Sequence, residues 1–363
     1  MEGLGVSDSF WRGRRAVVTG HTGFKGAWLT LWLQHLGADV HGVALAPPTT
    51  PSFFDAIRWP SSLVDTRIDI RDGTAVAQAI TAARPSVVFH LAAQPLVRES
   101  YRDPAGTFAT NVLGTVHVLE AARACSSVDA IVNVTSDKCY ENDESGTEYT
   151  EADRLGGSDP YSCSKACAEL VSASYRRSFL SSADTPGLAS ARAGNVYGGG
   201  DWAVDRVIPD CVRAFASGES VVLRHPEATR PWQHVLDALR GYLLLAQRLV
   251  EDPRPAWSAF NFGPSPGTAA SVGQLVTEVA ARWGNGASWR VAEGQHPHEA
   301  HMLRLDSTLA RRTLGWHPVI PLADGLTLTV DWYREFLTGD GDMTETSLAQ
   351  IRLVESRAAA NQP

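Results

Sequence analysis

One segment near the start of the chain restricts the possible folds more than any other. A short apolar run, Arg15–Thr19, leads directly into Gly20-His21-Thr22-Gly23-Phe24-Lys25-Gly26, and a helical pattern over Phe24–Leu36 follows. Glycines spaced three apart let a backbone approach a pyrophosphate closely, and the helix N-terminus supplies free N–H groups and a favourable dipole. This order predicts a dinucleotide site at the start of a parallel α/β fold; the alternative is a tight turn without a ligand.

The rest of the chain alternates strands and helices. We predict further strands at 38–44, 66–70, 86–91, 130–135 and 187–192, and helices at 74–83, 104–124 and 160–179. Strands separated by helices form a parallel sheet covered on both faces, so the prediction is a Rossmann-type doubly wound α/β fold. The expected domains are a dinucleotide-binding domain at mainly 12–194, a smaller mixed α/β substrate-binding lobe at mainly 195–335 with interleaved boundaries, and a polar C-terminal tail with a frayed end at 336–363.

Composition excludes several classes of protein. The 363 residues are 44% apolar and 20% charged, which suits a globular chain with a sizeable core and not a disordered or fibrous one. A net charge of -8 argues against a nucleic-acid or anionic-membrane surface, and we find neither a membrane-length apolar stretch nor a signal peptide. Five cysteines without a Cys-x-x-Cys pair are typical of reduced thiols, so we expect a cytoplasmic protein.

Lysine is unusually rare. Of the 32 basic residues, lysine occupies three positions, Lys25, Lys138 and Lys165. An ammonium group can shift its pKa and move a proton, whereas a guanidinium barely titrates. The alternative is that these three lysines have remained by chance, but each of them lies inside a motif.

Lys165 belongs to a Tyr-x-x-x-Lys pair. Tyr161 and Lys165 open a helix directly after Asp159-Pro160, and their spacing of four places them on one helix face. A neighbouring ammonium favours the phenolate and lowers the pKa of the tyrosine. The pair therefore predicts proton transfer with an alcohol that is oxidised to a ketone; a surface pair is the alternative.

Lys138 belongs to Thr135-Ser136-Asp137-Lys138-Cys139-Tyr140, at the end of the predicted fifth strand. Ligands of parallel sheets bind at the carboxyl ends of the strands. A hydroxyl, a carboxylate and an amine at this end predict a reaction site; a solvated turn is the alternative.

Together these motifs resemble the extended short-chain dehydrogenase/reductase superfamily. Within it, the resemblance is to the CDP-glucose 4,6-dehydratase family, covers roughly residues 12–335, and rests on the glycine loop, residues 135–140 and the segments 92–98, 192–196, 198–202, 230–235 and 296–301. It implies a homodimer with a nicotinamide-binding Rossmann lobe and a nucleotide-sugar lobe. Ala46 is a departure, because members of the family carry an aspartate there.

The resemblance implies a lyase that converts CDP-glucose to CDP-4-keto-6-deoxyglucose and water. NAD would take hydride from C4, water would leave across C5 and C6, and the hydride would return to C6. The implied catalytic residues are Ser136, Asp137, Lys138, Tyr161 and Lys165. Tyr161 would take the hydroxyl proton with Ser136 and Lys165 assisting, Asp137 would protonate the C6 oxygen, and Lys138 would be the C5 base or its electrostatic helper.

Binding residues follow from the same motifs. For the cofactor we expect Gly20, Thr22, Gly23, Phe24, Lys25, Gly26, Asp69, Ile70, Leu91, Ala92, Ala93, Asn111, Tyr161 and Lys165. The stretch after the second strand, 43–48, has neither a carboxylate nor an arginine, which leaves NAD or NADP open and favours NAD. For the substrate we expect Gln94, Arg98, Asn195, Arg206, Arg230 and His298, because arginine binds a diphosphate bidentately. We expect no metal.

Three other functions remain open at this point. Another nucleotide-sugar 4,6-dehydratase, or a 4-epimerase, would use the same fold, although an epimerase has no need of Asp137 and Lys138. A nucleotide-sensing protein without catalysis would keep the fold but has no need of Tyr161 and Lys165.

Overall fold

A computed structural model describes residues 6–142, 146–265, 267–293 and 303–361. The predicted Rossmann-type fold is confirmed: seven parallel strands form one central sheet, in the order β3-β2-β1-β4-β5-β7-β12. These strands are β1 Arg15–Thr19, β2 Asp39–Ala44, β3 Val64–Arg67, β4 Val87–His90, β5 Ala130–Val134, β7 Gly187–Ala193 and β12 Ala259–Phe262. The strand order reverses between β1 and β4, which creates a crevice at their carboxyl ends.

Helices cover both faces of this sheet and also form part of the second lobe. They are α1 Asp8–Trp11, α2 Phe24–His35, α3 Phe53–Ala56, α4 Gly73–Ala83, α5 Val97–Arg102, α6 Pro104–Phe108, α7 Gly114–Ala124, α8 Pro160–Ser178, α9 Val207–Ala216, α10 Val235–Glu251, α11 Val272–Trp283, α12 Thr308–Leu314, α13 Leu322–Thr338 and α14 Met343–Ala360. Successive strand residues point to opposite faces: Ala16 and Val18 pack in one core with α2 and α10, and Val17 packs in the other with α4 and α7.

Short strand pairs complete the second lobe and its junction with the first. They are β8 Val196–Tyr197 with β11 Gln233–His234, β9 Val221–Leu223 with β14 Trp289–Val291, β10 Thr229–Arg230 with β13 Ala270–Ser271, and β6 Glu148–Tyr149 with β15 Arg304–Leu305. The second half of the chain also returns to the central sheet, because β12 pairs with β7 at the edge. Both halves therefore share one sheet.

Two predicted elements differ in detail. The third strand, expected at 66–70, is β3 at Val64–Arg67, so Asp69 and Ile70 lie in the loop after it. This edge strand is mostly exposed, so apolar and polar residues do not alternate along it and its ends are difficult to predict from the sequence. The helix expected at 104–124 is divided by a turn of π-helix at Ala109–Leu113, a distortion that often accompanies functional sites.

The C-terminal region also differs from the expected polar tail. Residues Met343–Ala360 form α14, which packs on the main core through Ile351 and Val354. The Trp32 indole nitrogen donates a hydrogen bond to Glu355 across 2.8 Å. Buried residues recur at helical spacing along α14, but alanine and polar residues between them hide the stripe in the sequence.

No helix among the described residues is long and apolar enough to cross a membrane.

Candidate functional site

The glycine loop lies at the point where the strand order reverses. Gly20 has a φ of +75°, and a Cβ there would lie 2.7 Å from the backbone nitrogen of Ala92. The Thr19 hydroxyl accepts hydrogen bonds from the Leu91 and Ala92 N–H groups, both at 3.1 Å. A Cβ on Gly26 would collide with the Gly20 carbonyl. Gly20 is therefore required by the close contact between the loops after β1 and β4, and Gly26 by the close packing of the start of α2 against the glycine loop.

Gly23 differs from Gly20 and Gly26, because the surrounding protein atoms leave room for a Cβ at this position. Its φ is -78°, and a Cβ would lie 3.4 Å from the Gly20 carbonyl oxygen, which is an ordinary contact. Gly23 is the N-cap of α2, and no side chain caps the helix. The free N–H groups and the space beside Gly23 fit a dinucleotide pyrophosphate.

A cavity of about 1550 Å³ extends from this loop to the second lobe. Of the residues predicted from the sequence, it is lined by Gly20, Thr22, Gly23, Phe24, Lys25, Gly26, Asp69, Ile70, Leu91, Ala92, Ala93, Arg98, Ser136, Asp137, Lys138, Tyr161, Lys165, Asn195, Arg206 and Arg230. A volume of this size accommodates more than one drug-sized ligand.

Three predicted residues do not line the cavity or are not described. Asn111 lies in the π-turn, where its side chain accepts from the Gln94 N–H at 2.8 Å and donates to the Ser164 hydroxyl at 2.9 Å. The Gln94 side chain donates to Thr107. These bonds fix the loop after β4 against α8, and the ligand contacts expected of Asn111 and Gln94 stay predictions. His298 lies outside the described residues.

The turn after β5 brings Ser136, Asp137 and Lys138 into the cavity wall. The Ser136 hydroxyl donates to an Asp137 carboxylate oxygen at 3.0 Å and accepts from the Lys138 N–H at 3.2 Å. Burial raises the pKa of Asp137, against the charge of Lys138, the Ser136 hydrogen bond and the charges of Lys25 and Arg230. Asp137 therefore keeps its proton to a higher pH than a solvated carboxyl and suits a proton donor.

Helix α8 presents Tyr161 and Lys165 to the same wall. The helix begins as predicted, with the Asp159 side chain accepting from the Ser162 N–H at 2.9 Å and Pro160 in the first turn. The Tyr161 side chain forms a hydrogen bond with Ser136. The Lys165 ammonium donates to the Val134 carbonyl at 3.3 Å. The hydroxyls of Ser136 and Tyr161 thus meet at the carboxyl end of β5.

The expected lowering of the pKa of Tyr161 is wrong for the protein alone. Burial raises the pKa of Tyr161 to about 12, although the Ser136 hydrogen bond and the Arg206 charge oppose the rise. Burial also lowers the pKa of Lys165 to about 8. Desolvation favours the neutral form of both groups and outweighs their neighbours. The protein groups around Tyr161 therefore do not by themselves lower its pKa below the usual value.

Lys25 extends into this centre as well as flanking the glycine loop. Burial and the charge of Arg206 lower its pKa to about 7, while Asp137 and Asp201 raise it. The sequence predicted a cofactor contact for Lys25, and the structure brings the amine to the space between the glycine loop and the second lobe.

Ion pairs line the cavity, and one of them joins α5 to the second lobe. Arg98 of α5 bonds Asp205 at 2.9 Å, and Arg224 bonds the same carboxylate oxygen at 3.2 Å. Arg206 lies 3.8 Å from Asp201. Sequence reasoning missed Asp201, Asp205 and Arg224; Asp201 stands in the 198–202 motif, but nothing in the sequence marked Arg224. These arginines line the cavity together with Arg230, and a group of arginines suits an anionic ligand such as a phosphate.

The far end of the cavity follows the carboxyl ends of β2 and β3. Its wall there contains Ala46, Asp69 and Arg71. Arg71 bonds Asp69 at 2.9 and 2.6 Å, which lowers the pKa of that carboxyl. Asp69 is the carboxylate at this end that faces the cavity, whereas Asp65 is bound to His21 and Arg67.

Within 6–142, 146–265, 267–293 and 303–361, no group of three histidine, cysteine or acidic side chains forms a cluster able to hold a metal ion. The histidines at 296, 298 and 301 lie outside these ranges.

Known proteins resemble this chain over most of its length. A model described as the NAD dependent epimerase/dehydratase family matches residues 16–263. A CDP-glucose 4,6-dehydratase of Salmonella typhimurium is 47% identical and aligns over 95% of this chain and 97% of its own length. A dTDP-glucose 4,6-dehydratase of Streptomyces griseus is 32% identical over 88% of this chain and 94% of its own.

Solved structures agree with these relatives. A dTDP-glucose 4,6-dehydratase of Streptomyces venezuelae with NAD bound has a TM-score of 0.75 and 26% identity, and covers 88% of this chain and 97% of its own. A UDP-glucose 4-epimerase of Thermus thermophilus in complex with NAD has a TM-score of 0.76 and 26% identity, and covers 88% of this chain and 99% of its own.

Replacement of Gly23 tests whether this loop holds the dinucleotide. We expect Gly23→Ala to fold and to lose about 1 kcal/mol of stability at most, because Ala is a poorer N-cap than Gly. Its added methyl group occupies the phosphate position, so NAD binding should weaken by about tenfold or more, measured by isothermal titration calorimetry. Gly26→Ala is the contrasting variant, because its clash with the Gly20 carbonyl should lower the melting temperature without NAD. Unchanged NAD affinity in Gly23→Ala would contradict the assignment.

Proposed function

Because the chain belongs to the NAD dependent epimerase/dehydratase family, we propose that it is an NAD-dependent CDP-glucose 4,6-dehydratase. The observation that carries the proposal is the turn Ser136–Lys138. Ser136 bonds the Tyr161 side chain, and the Asp137 carboxyl, whose pKa is raised by burial, and Lys138 line the same cavity. A plain C4 oxidation needs one proton acceptor, whereas elimination of water needs a base and an acid as well. The 47% identity to a CDP-glucose 4,6-dehydratase supports CDP-glucose as the substrate.

The first step is oxidation of the C4 hydroxyl to a ketone. Tyr161 takes the hydroxyl proton, and Ser136 bonds the same oxygen. Lys165 contributes a positive charge one helical turn away, which favours the phenolate. The glycine-loop residues together with Asp69 would hold NAD in the cavity, where it would supply the acceptor of the C4 hydride and its donor to C6.

The second step removes water across C5 and C6. The new ketone acidifies the C5 proton, which Lys138 takes as base or whose removal it assists by its charge. Asp137 gives its proton to the departing C6 hydroxyl, which leaves as water. The hydride taken from C4 then returns to C6, and a proton returns to C5. The net reaction is loss of one water without net oxidation.

The diphosphate of the substrate meets the arginine-rich wall of the second lobe. We assign it to Arg206 and Arg230, with Asn195 as a hydrogen-bond donor and Arg98 in the cavity lining. Arginine suits this task because its planar fork bonds phosphate oxygens in pairs. His298 stays a predicted contact of the sugar or base.

We also propose that the protein is a homodimer paired through the region of α7 and α8. The supporting observation is that Leu113, in the π-turn before α7, and Leu170, on α8, are 48% and 58% exposed. Sedimentation equilibrium of the parent protein and of Leu170→Glu tests this: we expect a dimer and a weakened dimer, and a monomeric parent would contradict it.

The cytoplasm is the proposed compartment. All five cysteines are free, as is usual where thiols stay reduced.

Isotope labelling tests the reaction itself. We expect CDP-glucose carrying deuterium at C4 to lose one water over many turnovers per NAD, with the deuterium recovered at C6. Unlabelled substrate in D₂O should gain one deuterium at C5, because the base exchanges the proton it removes. Mass spectrometry and NMR read both positions. A 4-epimerase would lose no water and would keep the label at C4, and a sensing protein would leave the substrate unchanged.

Lys138 variants test the elimination step separately. We expect Lys138→Ala to oxidise C4, seen as reduced nicotinamide on mixing with substrate, but to lose water about 10²-fold or more slowly. Lys138→Arg keeps the positive charge but cannot act as a base. Slow water loss in Lys138→Arg would show that Lys138 is the base, and water loss at the parent rate would show that its role is electrostatic. Water loss at the parent rate in Lys138→Ala would exclude both.

A further inference from the structure

A buried ion pair lies directly behind the site. Glu169 of α8 and Arg192 of β7 have side chains that are 4% and 5% exposed. Arg192 donates two hydrogen bonds to the two carboxylate oxygens of Glu169, at 3.0 and 2.8 Å. Removing two charges from water is costly, and their mutual attraction has to offset that cost, so a buried pair is weak evidence of a role in stability.

The contacts of the pair hold both ends of the segment Thr135–Tyr140, which contains the turn Ser136–Lys138. The Thr135 hydroxyl donates to Glu169. At the other end, Arg192 donates to the Tyr140 hydroxyl at 2.9 Å. The segment is thereby attached to α8, the helix that carries Tyr161 and Lys165.

The network continues to the edge of the central sheet. The Tyr140 hydroxyl donates to the Asn261 side chain of β12 at 2.7 Å, and the Asn261 N–H donates to Glu151 at 2.7 Å. The two carboxylates therefore belong to one hydrogen-bonded network: Glu169 accepts from the side chains of Thr135 and Arg192, whereas Glu151 accepts from the Asn261 backbone N–H beyond Tyr140.

Glu169 also lies one turn along α8 from Lys165, and its charge is the main influence that opposes burial on the pKa of Lys165. Other elements around Lys165 contribute Cys139 from the turn, Lys25 from α2 and His90 from β4. Burial raises the pKa of the Cys139 thiol well above its usual value and lowers the pKa of His90 to about 3, so both are neutral near pH 7. Among these groups, Glu169 is the anion.

We propose that Glu169 is a positioning residue for the reaction. Its carboxylate keeps Lys165 in the ammonium form and, with Arg192, fixes Thr135–Tyr140 against α8. Tyr161 and Lys165 of α8 thereby keep a fixed position relative to the turn Ser136–Lys138. Only the catalytic part of this inference rests on the proposed function.

The direction of the pH effect follows from the sign of the charges. The pKa of Lys165 is about 8, so the ammonium form prevails below that pH and is lost above it. Removal of the Glu169 charge favours the neutral amine and lowers this pKa further. The pH at which activity falls on the alkaline side should therefore move to lower pH.

The rarity of lysine makes a direct measurement possible. Protein labelled with ¹³C-lysine gives side-chain NMR signals from three lysines, at 25, 138 and 165, and Lys165→Met assigns the third. We expect Glu169→Gln to lower the titration midpoint of Lys165 by about one pH unit or more, a tenfold change in its protonation equilibrium. Lys138 provides an internal comparison in the same spectra.

Glu151→Gln is the matched control, because it removes a carboxylate from the same network. We expect it to leave the Lys165 midpoint in place. Equal shifts in Glu151→Gln and Glu169→Gln, or no shift in Glu169→Gln, would overturn the electrostatic part of the proposal. This measurement needs no substrate, so it stands even if the parent protein leaves CDP-glucose unchanged.

Thr135→Val tests whether the contact with Glu169 positions the segment Thr135–Tyr140. This variant also keeps the proposal testable if Glu169→Gln does not fold. It removes the hydroxyl that bonds Glu169 and keeps the ion pair and the side-chain shape. We expect turnover to fall several-fold at every pH, with the Lys165 midpoint unchanged. Parent turnover in Thr135→Val would overturn the positioning part, and a shifted midpoint would show that the two parts are not separable as proposed.

Discussion

The site depends on one close contact between two backbones. The loop after β1 and the loop after β4 meet where the strand order of the sheet reverses, with a Cβ position on Gly20 only 2.7 Å from the Ala92 nitrogen. The Thr19 hydroxyl bonds both N–H groups of the second loop at this point. This contact directs the N-terminus of α2 towards the cavity, and β5 and α8 then bring their polar residues to the same crevice.

Burial governs the chemistry of the groups that meet there. It raises the pKa values of Tyr161 and Asp137 and lowers those of Lys25 and Lys165, so each shift favours the neutral form. That direction suits Asp137 as an acid, but it works against the phenolate and the ammonium that C4 oxidation uses. In our interpretation, Glu169 offsets burial at Lys165, and the positive nicotinamide offsets it at Tyr161. The two proton-transfer tasks therefore need different surroundings within one cavity.

Much of the fold was predictable because its signals are local. The glycine spacing, the apolar runs of the inner strands and the Asp159-Pro160 helix start each occupy a few consecutive residues. The edge strand β3, the π-turn at 109–113 and α14 were less predictable, since an exposed strand has little alternation and the α14 stripe is diluted by alanine and polar residues. For the site, a motif indicates which residues are near a ligand but not which of them face it. Asn111 and Gln94 lie within motifs, but the structure shows them bonded to each other and outside the lining of the cavity.

The sequence alone predicted the fold class, the dinucleotide loop and the proposed proton carriers, Ser136, Asp137, Lys138, Tyr161 and Lys165, because short-range spacing, strand ends and the family resemblance mark them. The electrostatics of that set depend on the tertiary structure. Glu169 and Arg192 are 23 residues apart in the chain, and Thr135 and Glu169 are 34 apart. Contacts at such separations, and the burial that shifts each pKa, arise only when the strands and helices have packed.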